Sequence, residues 1–218
     1  MKSVHPDYII ISNNDYNEML KKIESIGRVC YKSEGNIKEG SAESFISGLL
    51  KRGHESVIEH ESITVKVICD RGVSHEIVRH RIASYSQEST RYCNYSMDKF
   101  GNEISCIDLS TGFHYDLSNP KDKEKYEIWY QAMLDAERHY FELIEAGAPP
   151  EEARSVLPNS LKTELVMTMN LREWRHFFRL RTNKRAHPQI IEISSKILEE
   201  FSHRYPIFFT DLLGDPIE

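Results

Sequence analysis

Two amphipathic helices are predicted in the N-terminal part of the chain. Apolar residues recur every three or four positions over residues 19–26, and Asn14 or Asp15 stands before them as a candidate N-cap. The same spacing returns after Ser41, which is the expected N-cap of a second helix. Gly53 follows the last apolar position, so the second helix is expected to end there.

The spacing changes to a period of two in two places, and each predicts a strand. Apolar and polar side chains alternate over residues 61–69, as in a half-buried strand, and residues 163–169 form the second such run. Residues 72–81 predict a short helix with Ser74 as its cap. The stretch 84–95 is polar and aromatic without a clear period, which indicates a structured loop or an irregular strand.

The C-terminal half is predominantly helical. The longest helix is predicted over residues 121–145 and is expected to end at Gly147. Asn170 is the expected cap of another helix, and Pro188 begins the last one. Residues 98–120 show only a weak periodicity of apolar positions, so they are predicted to form an excursion, an irregular segment between the regular elements. Because the few strands do not alternate regularly with helices, we predict an α+β fold in one domain over residues 1–218.

Composition narrows the class of protein. Hydrophobic residues make up 39% and charged residues 28%, and no apolar run approaches the roughly 20 residues of a membrane span. The first residues lack the core of a signal peptide, so a cytoplasmic location is expected. The four cysteines are widely spaced and predict buried thiols rather than a zinc site. A net charge of −6 argues against a general nucleic-acid binder.

Positive charge is nevertheless concentrated in two segments. Residues 170–187 hold six Lys or Arg side chains and one acidic residue. A second group of arginines and histidines extends from Arg71 to Arg91. Both are built mainly of arginine interleaved with aromatic residues, which favours a small anionic ligand such as a phosphate over a solvated face.

The densest candidate chemistry lies between residues 79 and 92. Three consecutive side chains, those of Arg79, His80 and Arg81, would point about 100° apart on a helix and reach different partners. Neutralisation of helix carbonyls would explain these three residues. It would not explain the short polar donors and the arginine fork that follow, which suit a phosphate or a pyrimidine edge, namely Ser84, Gln87, Ser89 and Arg91.

The helix after Asn170 carries a second candidate group. Arg181 follows an aromatic stripe on the same helical face, where an unpaired charge is costly, so it needs an anionic or carbonyl partner. A structural ion pair is a fair explanation for Arg175 and Arg179 and a less convincing one for Arg181. Arg172 and His176 are four residues apart and are expected to grip one ligand together.

Two other types of site are not favoured. His54 and His60 do not have the spacing of a helical metal motif, so no metal is expected. Ser89 has no His–Asp pair placed by sequence to activate it as a nucleophile, and is better interpreted as a contact to a phosphate or base.

The motifs resemble the flavin-dependent thymidylate synthases. The pattern R-H-R, seven residues and then Ser is that family's signature, and its extended form is also matched, through Arg79, His80, Arg81, Ser84, Ser86, Ser89, Arg91 and Tyr92. Many members have Asn and Glu where this chain has Ser86 and Gln87, which we interpret as a subtype. Further blocks at residues 54–60, 153–158 and 170–181 occur in the family's order, and the resemblance covers roughly residues 20–205.

The resemblance implies a function and a set of site residues. It implies a small, mostly antiparallel sheet flanked by long helices, assembled as a homotetramer with shared sites. It implies methylation of dUMP to dTMP with methylenetetrahydrofolate as one-carbon donor and reduced FAD as hydride source, NADPH re-reducing the flavin. The implied FAD ligands are Ser56, Arg79, His80, Arg81, Gln87, Asn170, Arg172 and His176. The implied dUMP ligands are Glu76, Arg79, Gln87, Ser89, Arg91, Arg154 and Arg181, with Arg181 catalytic on the uracil ring.

Two other functions remain open at this stage. The Arg/Tyr-rich segment 79–95 allows a nucleotide- or RNA-binding module without redox chemistry, although the negative net charge disfavours it. A different flavoenzyme acting on nucleotides is also compatible with the motifs.

Overall fold

The centre of the molecule is a four-stranded antiparallel sheet. The structure is a computed structural model, and it describes residues 1–214, so the last four residues of the predicted domain lie outside the described part. In spatial order its strands are β2 (Asp7–Ile10), β3 (Ser62–Asp70), β6 (Lys162–Asn170) and β4 (Ser84–Gln87). The two predicted strands are β3 and β6, which pair along their whole length.

A second, parallel pair of strands joins the N-terminus to the segment predicted as an excursion. It consists of β1 (Lys2–Val4) and β5 (Ser105–Ile107). Cys106 forms a bridge to Leu161, next to the start of β6, so this pair continues towards the main sheet. Short strands of this kind carry too little periodicity to be recognised from three residues.

Long helices flank the sheet, as expected for an α+β fold. The α-helices are α1 (Tyr16–Val29), α2 (Ser41–Lys51), α3 (Arg71–Ile77), α4 (Leu109–Gly112), α5 (Pro120–Glu145), α6 (Pro150–Ala153), α7 (Leu171–Arg181), α8 (Pro188–Arg204) and α9 (Pro206–Phe209), and a six-residue 3-10 helix spans Glu55–His60. Every helix within residues 1–214 is too short or too polar to span a membrane.

Helix caps explain where several helices begin. The Asp15 carboxylate accepts from the Glu18 amide at 2.9 Å, and the Asn170 side chain caps α7 by accepting from the Glu173 amide at 2.9 Å. The prediction that Ser41 caps α2 was wrong by one residue, since Ser41 is already helical and its hydroxyl bonds the buried Glu24 carboxylate at 2.8 Å.

The helix predicted over residues 72–81 begins earlier and ends earlier than expected. Asp70, not Ser74, is its cap and accepts from the Val73 amide at 2.6 Å. The helix ends at Ile77, where the single proton of the Tyr85 hydroxyl, arriving from β4, is shared between the carbonyl oxygens of Ile77 at 2.9 Å and His80 at 2.8 Å. Arg79, His80 and Arg81 therefore lie beyond the helix, so the prediction that they stand on one helix was wrong.

The main core lies between one face of the sheet and helices α1, α2, α7 and α8. Alternate β3 side chains, from Ile63 to Val67, are fully buried. The predicted aromatic stripe of α7 packs on them, with Trp174 stacked on Phe178 at 5.5 Å between ring centroids. This packing places the opposite side of α7 beside the end of α3, where Arg181 reaches Glu76.

Candidate active site

Arg181 joins the end of α7 to the end of α3. Its Nη1 donates to Glu76 Oε2 at 2.8 Å, its Nη2 donates to the Glu76 carbonyl at 3.0 Å, and its Nε donates to His80 Nε2 at 3.1 Å. The need for an anionic or carbonyl partner is therefore confirmed. The view that an ion pair is less convincing for Arg181 was wrong, because Glu76 supplies both a carboxylate and a carbonyl.

Arg175 and Arg179 form the structural ion pairs that the sequence allowed. Arg175 is buried and binds Glu55, Asp211 and the Phe208 carbonyl. Arg179 donates to the same Glu55 carboxylate at 2.9 Å. Burial alone would raise the pKa of Glu55, but the hydrogen bond from Arg179 and the charge of Arg175 lower it below its ordinary value.

His80 is the buried member of the signature triplet, whereas Arg79 and Arg81 are exposed. Its Nδ1 lies 3.2 Å from Glu173 Oε1. An arginine can only donate, so His80 Nε2 accepts from Arg181 and the ring proton must sit on Nδ1, facing Glu173. Burial, the charge of Arg181 and the nearby His176 lower the pKa of His80 to about 4, which keeps the imidazole neutral near pH 7.

These side chains also make up a group of possible metal ligands. One ligand atom from each of His80, Glu173 and His176 lies within 4.8 Å of the others. Both ring nitrogens of His80 are already engaged, so a metal would have to displace Arg181 or Glu173 from the histidine. The geometry fits a hydrogen-bonded network better than a metal centre.

A cavity of about 470 Å³ at the start of α7, here called the α7 cavity, brings together three of the predicted cofactor ligands. It is lined by Glu55, Glu59, Ile82, Asn170, Arg172, Glu173, His176 and Arg179. Arg172 and His176 share it, as their spacing predicted. The Asn170 oxygen caps α7, and Arg172 donates to Glu59 at 2.5 Å, so a ligand would share both side chains with these partners.

Ser56 lines a neighbouring cavity of about 330 Å³ that includes Glu55 and Arg172. The two cavities therefore meet at Arg172. An exposed guanidinium, an imidazole, an amide and a hydroxyl along one continuous surface suit a ligand with a diphosphate and a heterocycle. These donors fit the FAD that the resemblance implies, and two of the three carboxylates in the α7 cavity, Glu55 and Glu59, are already paired with arginines.

A third cavity, of about 450 Å³, lies beside α6 and contains Arg154; we call it the α6 cavity. Its lining residues are Arg71, His75, Thr90, Glu151, Arg154, Ser155, Leu157, Pro158 and Asn159. Arg154 donates to Thr90 Oγ1 at 3.2 Å. Nη1 of Arg71 is buried and has no hydrogen-bond partner among residues 1–214. An unsatisfied guanidinium nitrogen beside a second arginine favours an anionic ligand.

The α6 cavity contains residues that were not singled out as ligands. Arg71 and His75 belong to the second cationic group, but nothing in their spacing distinguishes them from surface charges. No feature of the sequence marked Thr90 as a candidate ligand. Arg91 lies near the rim of the cavity, with its Nη2 3.9 Å from Glu151 Oε2.

Gln87 and Ser89 lie apart from the α7 cavity in this chain. The Gln87 amide donates to Ser74 Oγ at 2.9 Å and to Thr163 Oγ1 at 3.3 Å. Gln87 also lines a cavity of about 430 Å³ on the sheet face, with Lys162 among its neighbours. Ser89 Oγ accepts from the Arg91 amide at 3.3 Å. The predicted ligands thus fall into several groups on the surface of one chain.

Comparisons with known proteins agree with the motifs. The sequence model of the family described as thymidylate synthase complementing protein matches residues 13–207. The chain is 40% identical over 169 residues to a flavin-dependent thymidylate synthase of Pyrococcus furiosus, covering 77% of this chain and 66% of that protein. It is 36% identical over 191 residues to one of Geobacter sulfurreducens, covering 84% and 78%. The match to the Pyrococcus protein thus spans just under two thirds of that relative's length.

Proposed function

The chain belongs to the thymidylate synthase complementing protein family, and from this premise we propose that it catalyses the reductive methylation of dUMP to dTMP with FAD as cofactor. Its similarity to proteins named flavin-dependent thymidylate synthase supports the proposal. The observation that carries it is the convergence of signature residues. His80 and Arg181 are 101 positions apart, yet they bond directly, beside the α7 cavity.

The α7 cavity and its neighbour are the proposed cofactor site. Arg172 and His176 would hold the FAD, together with Asn170 and with Ser56 from the neighbouring cavity. Arg79 and Arg81 are exposed on the turn after α3 and would reach the diphosphate of a cofactor bound across a subunit boundary. The reduced flavin supplies the hydride, and the chain's own residues hold and orient the reactants.

The α6 cavity is the proposed site of the dUMP phosphate. Arg154 and Thr90 are already joined there, and Arg71 offers an unsatisfied donor nitrogen. Arg91 at the rim and Ser89 beside it would complete the phosphate contacts. Two or three arginines around one phosphate both neutralise its charge and fix its position, which orients the uracil ring.

Arg181 is the proposed catalytic residue. Its guanidinium would stabilise negative charge on the uracil imide, so that the ring reacts as a nucleophile towards the methylene group of the folate. Two guanidinium nitrogens of Arg181 donate to Glu76, so the substrate would compete with Glu76 for these nitrogens or share them with it. His80 accepts from the third, so the guanidinium plane remains anchored while the substrate binds.

We also propose that the enzyme is a cytoplasmic homotetramer with sites shared between subunits and that NADPH reduces the flavin. The separation of the ligand groups on one chain supports the sharing of sites, since Gln87 and Arg154 lie in different cavities from Arg172. Methylenetetrahydrofolate is the proposed one-carbon donor.

The test begins with the visible spectrum of the purified protein after addition of FAD and desalting, repeated with dUMP. A retained flavin spectrum that shifts with dUMP places both ligands in one site. Formation of dTMP from dUMP, methylenetetrahydrofolate and NADPH then tests the reaction. A protein that retains no flavin and forms no dTMP would refute the proposal, and binding that falls steeply with salt would favour an RNA-binding module instead.

A further inference from the structure

The buried carboxylate of Glu173 contacts His80, which in turn contacts Arg181. Glu173, on α7, is 8% exposed and His80 is 5% exposed, so both are largely buried, and Glu173 contributes its remaining surface to the lining of the α7 cavity. Within the described chain, His80 is the only group that hydrogen-bonds the Glu173 carboxylate, at 3.2 Å. Burial raises the pKa of Glu173, which means that the carboxylate is held there at a cost in solvation.

Ordinary structural roles do not account for this carboxylate. Glu173 is the third residue of α7, where a glutamate commonly bonds the amide of the N-cap residue. Here the Asn170 amide lies within β6, and the carboxylate faces His80 instead. A favourable interaction with the helix dipole needs a carboxylate near the helix start, and does not need it buried against an imidazole.

The direction of each hydrogen bond is determined by chemistry. Arg181 Nε donates to His80 Nε2, so the neutral ring carries its proton on Nδ1 and donates to Glu173. Glu173 therefore selects the only neutral tautomer that can accept from Arg181. Without an acceptor at Nδ1, the ring would be free to turn or to carry its proton on Nε2, which would oppose the Arg181 donor.

We propose that Glu173 is a positioning residue that, through His80, holds the Arg181 guanidinium in the orientation the reaction requires. This inference rests on the proposed function for its kinetic consequence. Three observations support the proposal. Contacts run from Glu173 through His80 to Arg181, Glu173 and His80 are both buried, and the Tyr85 hydroxyl lies 2.8 Å from the His80 carbonyl oxygen. Glu76 holds the outer edge of the guanidinium, and His80 holds its inner edge.

The kinetic test compares Glu173→Gln with Glu173→Ala. Glutamine keeps an oxygen that accepts from Nδ1, so Glu173→Gln should retain turnover within about threefold. Glu173→Ala should lower kcat by about 10- to 100-fold, by analogy with the loss seen when the hydrogen-bond partner that orients a metal-binding histidine is removed, with KM for dUMP little changed. Glu192→Ala is the matched control, because Glu192 is a part-buried helical glutamate that bonds Lys196 on α8.

A second measurement does not depend on the activity. Nitrogen NMR of the ligand-free protein at pH 7 should show His80 neutral with its proton on Nδ1, and Glu173→Ala should broaden or shift this signal while Glu173→Gln preserves it. A wild-type His80 protonated on Nε2 would overturn the proposal, as would wild-type kcat in a folded Glu173→Ala variant. If the wild type forms no dTMP but shows the Nδ1 tautomer, the proposed function fails and the hydrogen-bond network stands.

Discussion

Replacing Arg181 by lysine separates the charge of this residue from its geometry. Lysine retains one positive charge and can keep the ion pair with Glu76, but it donates from a single atom. The bonds to His80 Nε2 and to the Glu76 carbonyl, at 3.1 and 3.0 Å, would be lost. A hydrogen bond from a charged group is worth about 1.5–3 kcal/mol net. These bonds hold the guanidinium in the orientation that stabilises the transition state, so at about 1.4 kcal/mol per tenfold change the loss of even one should lower kcat at least about tenfold.

The assay is steady-state formation of dTMP with FAD bound, accompanied by urea unfolding of the same protein. Arg204→Lys is the control, because Arg204 is half-exposed and makes one surface ion pair with Glu200, at 2.6 Å. Turnover of Arg181→Lys within twofold of the wild type would refute the reasoning, since charge alone would then suffice. A loss of stability without a loss of kcat would make Arg181 a structural link between α3 and α7.

Three further results are expected. Arg71→Gln should weaken dUMP binding about tenfold in calorimetry, because a charged hydrogen bond to the phosphate is lost, and should leave deoxyuridine binding unchanged; equal losses for both would exclude a phosphate contact. Trp174→Phe should lower the free energy of unfolding by about 2 kcal/mol, since it leaves a void in the core and removes the bond to the Ile63 carbonyl at 3.0 Å; a change below about 0.5 kcal/mol would contradict this. The pKa of His80 is lowered from 6.5 to about 4, so its imidazole binds a proton more tightly in the unfolded chain than in the folded protein. His80 therefore contributes stability that is fully present above pH 6.5 and is lost as the pH falls towards 4. The wild type should therefore lose more stability between pH 7 and 4.5 than His80→Gln does, in a series of urea titrations.

Local patterns determined much of the framework. Burying one face of an element produces a periodic pattern of apolar residues along the chain. The two-residue period of β3 and β6 and the aromatic stripe of α7 are both patterns of this kind. Asn170 was recognised as a cap because a side-chain oxygen before a helix can satisfy its first amides without any distant partner. The signature around His80 identified the family from the order of the residue types alone, and the family match confirms it.

Only the tertiary structure decided which groups meet. Asp70 caps α3, and the hydroxyl that bonds its last carbonyl, that of Ile77, comes from Tyr85 on another strand. The pairing of Arg181 with Glu76, 105 positions away, depends on how α7 packs on the sheet, and no local period encodes that distance. The unsatisfied nitrogen of Arg71 likewise became visible only once its surroundings were folded. Short-range spacing specifies elements and their buried faces, whereas the partners of a buried charge are chosen by packing between distant parts of the chain.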